Sequence, residues 1–230
     1  MQIKSITKFD INGMPMISEE ELSEARGVSD PATIKIFNSI LSDDLSFISN
    51  EIDNNRLNIN DYIIWGDNQE IVVPLLKFCV CRLDGEVSIS YNIAKYLLSF
   101  PDLDVNAYGS SGKNTLIELC SMRNSYWVDA CLPSSAMKQL AILLVNDPKI
   151  KLNAVAYEYN YETVSYVPTE NTANSIALKV NNTFMSNIIS DKLNQREIPN
   201  DFNPMLVNLY QEAKKITNQE QQLRLSDHQD

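Results

Sequence analysis

The chain has 230 residues but only one histidine, His228, two positions before its C-terminus. A general base must be held firmly beside the group that it deprotonates. A residue in a polar terminal segment does not meet that requirement, and a catalytic cysteine also needs a positioned histidine. We therefore predict a protein that is not an enzyme, with no catalytic residue and no cofactor.

Glycine is scarce as well, with six residues in the whole chain. Residues 109–115 read GSSGKNT, where only two residues separate the glycines and asparagine follows the lysine. A phosphate-binding loop needs four residues between its glycines and a serine or threonine after the lysine. The segment instead favours a turn between structural units, and Thr115 is predicted to cap the helix that follows.

The four cysteines, Cys79, Cys81, Cys120 and Cys131, are too few for a disulfide framework in a chain of this length. Their spacing also differs from that of the cysteine pairs that bind zinc. We expect no metal site, and we expect Cys79 and Cys120 to pack as small buried residues. This cysteine usage is typical of a reducing cytoplasm.

Long apolar runs are missing too. The longest, residues 71–76 and 141–145, are far shorter than the ~18 residues of a membrane span. Residues 1–30 have no apolar segment of the kind found in secretion signals. We expect no membrane span and no secretory signal.

Basic residues are outnumbered, with 19 Lys and Arg against 30 Asp and Glu, for a net charge of −11. An acidic surface repels phosphate backbones, so we expect no nucleic-acid partner. A partner with a basic surface fits this charge better, and plain solubility is the alternative explanation.

The chain does contain an internal repeat. Residues 92–107, NIAKYLLSFPDLDVNA, align without gaps with residues 139–154, QLAILLVNDPKIKLNA. In both segments the apolar spacing predicts a helix, which ends near Pro101 or Pro148 and is followed by an Asn-Ala turn. Residues 47–60 form a weaker copy.

A second short apolar segment precedes each copy and also follows the last one. The four such segments cover residues 34–39, 74–79, 114–120 and 172–177. The pattern predicts about four units of two helices each. Long connections are expected at residues 61–72, 84–90, 123–133 and 155–171.

These motifs resemble those of ankyrin repeats. Thr115, Ile117 and Cys120 match the Thr, Leu and Ala of the T-P-L-H-x-A motif that opens the first helix. Leu97 and Leu98 match the paired leucine of the second helix. The motif's histidine is absent from every unit, and most of the glycines between the helices are missing.

The resemblance implies an all-α fold, a short ankyrin-like helical solenoid of about four divergent repeats with long inter-repeat loops. It implies an N-terminal cap over residues 1–30 and a repeat array over residues 31–200. A C-terminal capping helix over residues 201–216 and a flexible tail over residues 217–230 complete the prediction. A generic helical bundle or another solenoid remains an alternative.

Ankyrin arrays bind proteins, so the resemblance implies a protein-binding scaffold. Degenerate repeats in a glycine-poor, asparagine-rich chain are similar to those of ankyrin effectors from intracellular bacteria. That likeness implies a monomeric effector or adaptor, delivered by a specialised secretion system into a host cytoplasm, which engages a host protein. A self-associating structural protein and an enzyme on an unrecognised helical fold are the alternatives.

A tyrosine-rich segment is the most specific candidate site. Tyr157, Tyr159, Tyr161 and Tyr166 lie in a stretch, residues 155–167, whose alternation predicts a hairpin-like finger. Tyrosine is enriched in protein interfaces because it offers a large contact area at a low entropic cost. Packing of these rings on the units beneath them is the alternative.

Two other aromatic residues are candidates for the same surface. Tyr62 and Trp65 lie in another long connection, which should project on the same side as the tyrosine-rich segment. Trp127 lies in a connection between helices and should be on the opposite edge. The predicted protein-binding residues are therefore the four tyrosines of the finger together with Tyr62 and Trp65.

Overall fold

A computed structural model of the chain describes residues 2–25, 31–64, 72–83, 86–123 and 132–194. Within these residues the protein is mixed α/β, with one three-stranded and two two-stranded antiparallel sheets beside the helices. The prediction of an all-α, ankyrin-like solenoid is therefore wrong.

The helices and the strands are numbered separately along the chain. The helices are α1 (Glu19–Ala25), α2 (Pro31–Leu41), α3 (Leu45–Asp53), α4 (Leu75–Phe78), α5 (Tyr91–Leu98), α6 (Thr115–Ser121), α7 (Leu132–Asn146), α8 (Ala173–Lys179) and α9 (Thr183–Leu193). The strands are β1 (Gln2–Lys4), β2 (Tyr62–Ile64), β3 (Val72–Pro74), β4 (Val80–Leu83), β5 (Glu86–Ile89), β6 (Val155–Asn160) and β7 (Ser165–Thr172).

Two of the three hairpin pairs form in or beside segments that the sequence predicted as connections, and the third forms where the sequence predicted a hairpin-like finger. β2 pairs with β3, β4 with β5, and β6 with β7, each pair antiparallel. Backbone N–H and C=O groups of a buried connection need partners, and pairing between neighbouring strands supplies them. β1 then joins as a third strand, with Lys4 opposite Tyr62.

The helices of the internal repeat form as predicted. α5 and α7 cover the helical parts of the two aligned segments, and they end at Leu98 and Asn146, just before Pro101 and Pro148. Proline cannot continue the helical hydrogen-bond pattern, which explains both ends. The weaker copy is also helical, as α3.

Asparagine and aspartate side chains cap the starts of two helices. Asn114 caps α6, because its side-chain oxygen accepts from the Ile117 N–H at 2.9 Å. Thr115, the predicted cap, is the first helical residue and is buried, so that prediction is one residue off. Asp43 caps α5 from the preceding unit, since its carboxylate accepts from the backbone N–H groups of Asn92 and Ile93 at 3.0 Å.

Successive helix pairs pack side by side around one apolar core. α3 contacts α5, α5 contacts α7 and α7 contacts α9, while α4 contacts α6 and α6 contacts α8. Cys79 and Cys120 are thiols buried in this core, as the sequence predicted, and the Cys79 thiol donates to the Leu75 carbonyl oxygen at 3.4 Å. Burial raises the pKa of the Cys120 thiol.

Two asparagines at equivalent positions link neighbouring units. The Asn60 side chain donates to the carbonyl oxygen of Asp102 at 2.9 Å and accepts from the Asp104 N–H at 2.8 Å. Asn106 makes the same pair of bonds one unit later, to Lys149 and Lys151. The asparagines that close the weaker copy and the first aligned segment thus link successive units.

Several predictions lie outside the described residues. They concern the C-terminal capping helix (201–216), the tail (217–230), His228, Trp65, Trp127 and Cys131. The proposed domain boundaries remain predictions. Among the helices described, none has the length and apolar character needed to cross a membrane.

Candidate protein-binding site

The tyrosine-rich segment forms the β-hairpin that its alternation predicts. Residues 155–172, here called the finger, contain β6 and β7, with Asn160 opposite Ser165 at the end of the pairing. The Asn160 side chain accepts from the N–H groups of Glu162 and Thr163, at 2.8 and 3.2 Å, and closes the turn.

One face of the finger is aromatic. Tyr159 pairs with Tyr166, and Tyr157 pairs with Pro168, so these side chains share a face of the hairpin. The Tyr159 ring meets the Tyr161 ring edge-on at 5.0 Å between centroids, and the Tyr166 ring at 5.3 Å and 72°. Such edge-to-face contacts favour a fixed arrangement of the three rings.

The end of the finger exposes large apolar side chains. Tyr161 is 86% exposed and Val164 is 73% exposed, while Tyr159 and Val167 are 40% and 38% exposed. Isolated exposed apolar residues are ordinary, but a group on one projecting hairpin is typical of an interaction site.

The base of the finger is anchored to the turn before α6. The Tyr157 N–H donates to the Gly112 carbonyl at 2.9 Å. The Tyr108 ring lies edge-on against the Tyr157 ring at 5.2 Å, and its hydroxyl donates to the Val155 carbonyl at 2.9 Å. Burial, with a smaller contribution from Tyr157, raises the pKa of Tyr108 to about 12.

Tyr166 anchors the second strand. Its hydroxyl donates to the Ser110 carbonyl at 2.6 Å, and its own carbonyl accepts from the Asn12 side chain at 2.9 Å. The four predicted tyrosines therefore divide in two. Tyr157 and Tyr166 are half-buried and hold the finger in place, whereas Tyr159 and Tyr161 are exposed.

A buried lysine supports the turn that anchors the finger. Lys77, only 2% exposed, donates to the Ser111 hydroxyl at 2.7 Å and lies 3.8 Å from the Glu118 carboxylate. A buried ammonium needs such a compensating charge and hydrogen bonds. The contacts tie residues 109–113 to α4 and α6, so the finger stands on a fixed base.

An N-terminal turn beside the finger is a part of the surface that the sequence analysis missed. The Asp10 carboxylate accepts from the N–H groups of Asn12 and Met14, and Gly13 has a φ of 78°. Ile11, in this turn, is 100% exposed, and Phe9 is 45% exposed. The Asp-x-Asn-Gly pattern indicates a turn, but nothing in it indicates a place beside Tyr166.

Tyr62 does not belong to the exposed surface. Its strand lies in the middle of the three-stranded sheet, the side chain is 4% exposed, and its ring lies 6.3 Å from that of Phe9. Burial, followed by the nearby Asp104 carboxylate, raises the pKa of Tyr62 above its ordinary value. The prediction that Tyr62 projects on the finger side is therefore corrected, because its side chain is buried and lies on the central strand of a sheet.

The described ranges contain no group of three or more His, Cys, Asp or Glu side chains that could hold a metal ion. No family model, curated protein or solved structure matches the chain. The resemblance to ankyrin repeats therefore remains a prediction. The fold and the site define a mixed α/β protein that carries an anchored hairpin with an exposed aromatic end.

Proposed function

We propose that the chain is a protein-binding scaffold that engages its partner through the finger. The main support is the contrast within one hairpin: Tyr161 is 86% exposed at its end, whereas Tyr157 and Tyr166 are hydrogen-bonded at its base. A preorganised aromatic anchor loses little entropy on binding, and such anchors supply most of the energy of an interface.

The surface around the finger supports the same function. Asn12 ties the N-terminal turn to Tyr166, so the exposed side chain of Ile11 lies on a segment that contacts the finger. A partner that covers Tyr161 and Val164 could extend onto this turn. The contact would then combine an aromatic centre with an apolar edge, as in specific protein interfaces.

The finer parts of the proposal rest on the resemblance to ankyrin effectors. The chain acts as a cytoplasmic, non-enzymatic monomer delivered into a host cell, and its partner is a host protein. Light scattering over a range of protein concentrations tests the monomer. An increase of the particle mass with protein concentration would favour the self-associating alternative.

Affinity capture followed by mass spectrometry tests the function itself. The baits are the intact chain, a Tyr159→Ser/Tyr161→Ser variant and a Leu178→Ser control. Leu178 is also an exposed apolar residue, at 63%, but it lies on α8 and not on the finger. The proposal requires a partner that is captured by the intact chain and by the Leu178→Ser control but not by the finger variant. The purified partner must also bind the intact chain. If every captured protein binds all three baits equally, the finger is not the binding site.

A further inference from the structure

The charge of the finger points to the chemistry of its partner. Glu158, Glu162 and Glu170 are all exposed, and residues 155–172 contain no lysine or arginine. The nearest lysine after the finger, Lys179, donates to the Asn171 side chain at its base. The exposed end therefore has acidic side chains and no basic side chain of its own.

The aromatic rings favour the same sign of charge. Tyr161 is 86% exposed, so most of its ring is open to solvent, whereas Tyr159 is 40% exposed and contacts both Tyr161 and Tyr166. The face of an aromatic ring carries partial negative charge and attracts a cation placed over it. Lys35 lies over the Phe47 ring and Lys138 over the Phe184 ring, so neither of these lysines occupies a ring of the finger. The open faces on the finger remain for a cation from another molecule.

We infer that the finger binds a protein segment that carries arginine or lysine next to apolar residues. The cation lies on the exposed ring of Tyr161 and pairs with Glu162 in the same turn, while the apolar residues cover Val164. Glu158, on the opposite face of the hairpin, adds to the local negative charge. This inference rests on the proposed function and specifies the partner's chemistry. The net charge of −11 adds long-range attraction for such a segment.

Selection from a library of short random peptides on the intact chain tests the inference. We expect the enriched peptides to contain more arginine and lysine than the starting library. Their affinity should fall several-fold between about 50 mM and about 300 mM salt, because salt screens exposed charges. A Glu158→Gln/Glu162→Gln variant should bind them about three- to tenfold more weakly, consistent with the loss of one exposed ion pair and one nearby carboxylate.

A matched control separates the local charge from the net charge. Glu24→Gln/Asp102→Asn also removes two exposed carboxylates, and both lie outside the finger. We expect this variant to bind the enriched peptides within about twofold of the unmodified chain. If both double variants lose the same affinity for the peptides, the effect comes from the overall charge of the chain, and the inference is overturned.

The outcomes also separate this inference from the proposed function. If the enriched peptides lack basic residues but bind the Tyr161→Ala variant more weakly than the intact chain, the inference is overturned and the finger remains a binding site. Enriched peptides that bind the Tyr161→Ala variant unchanged, or no enrichment at all, would overturn the inference and count against the finger as the site.

Discussion

The carbonyl oxygen of Gly112 accepts a 2.9 Å hydrogen bond from the backbone N–H of Tyr157. This contact joins the turn before α6 to the first strand of the finger. Gly112 has a φ of +72°, and a Cβ atom built there would lie 1.9 Å from the Tyr157 carbonyl oxygen. Only glycine allows the two backbones to come this close.

We predict that Gly112→Ala lowers the free energy of unfolding by about 2–3 kcal/mol, because it combines a left-handed backbone with a clash against main-chain atoms. Gly13→Ala is the control. Gly13 also has a positive φ, +78°, but a Cβ atom added there would have no neighbouring atom within 4 Å. Its cost should be about 1 kcal/mol. Urea unfolding measures both changes, and equal losses would contradict the close contact.

Tyr166 and Tyr161 should respond differently to the same change. Tyr166→Phe removes the hydroxyl that donates to Ser110, and we expect a loss of about 1 kcal/mol. The Tyr161 hydroxyl makes no hydrogen bond within the described part of the chain, so Tyr161→Phe should change stability by less than about 0.5 kcal/mol. Thermal unfolding compares them, and a larger loss for Tyr161 would place that ring in the packed structure.

The asparagine bridges between units should contribute to stability. Asn106→Ala removes a donor to the Lys149 carbonyl and an acceptor for the Lys151 N–H, so we expect a loss of about 1–2 kcal/mol. Asn60→Ala should cost about as much. Asn38→Ala, at an exposed position on α2, is the control and should change the free energy of unfolding by less than about 0.5 kcal/mol. Losses as small as that of the control would show that the bridges do not hold the units together.

The pKa of the Glu21 carboxylate should be unusually low. The hydrogen bond from Lys4, at 2.6 Å, and then that from the Ser18 N–H, at 2.8 Å, lower the pKa of Glu21 from 4.5 to about 2. A depressed folded-state pKa stabilises the fold above the unfolded value, near 4.5, and this stabilisation is lost as the pH falls towards about 2.

An NMR pH titration of the Glu21 side chain checks this value. Lys4→Met should move the midpoint back towards 4.5, because it removes the largest cause of the shift. Lys8→Met is the matched control and should leave the midpoint in place. A midpoint that is the same with and without Lys4 would rule out the contact between β1 and α1.

The paired helices could be predicted from the sequence because their signals are local. Apolar spacing marks α5 and α7, and a proline follows each within three residues. The alternation of residues 155–167 likewise predicted the finger. Each signal depends on residues within a short stretch of chain.

The small sheets could not be predicted in the same way. β1 has three residues, and its partner, Tyr62, lies almost sixty positions further along the chain. The exposure of each tyrosine also depends on residues distant in sequence. Ser110 and Asn12 hold Tyr166, whereas among the described residues no similar neighbour covers Tyr161. Composition alone could not separate the anchoring rings from the exposed ones.

The affinity of a purified partner for the chain and for its Tyr161→Ala variant tests the central claim most directly. If the exposed end of the finger is the anchor of the interface, the dissociation constant should rise at least about tenfold, or about 1.4 kcal/mol, with an unchanged melting temperature. A change of less than about twofold at equal stability, within the range of the Leu178→Ala control, would show that the partner binds elsewhere.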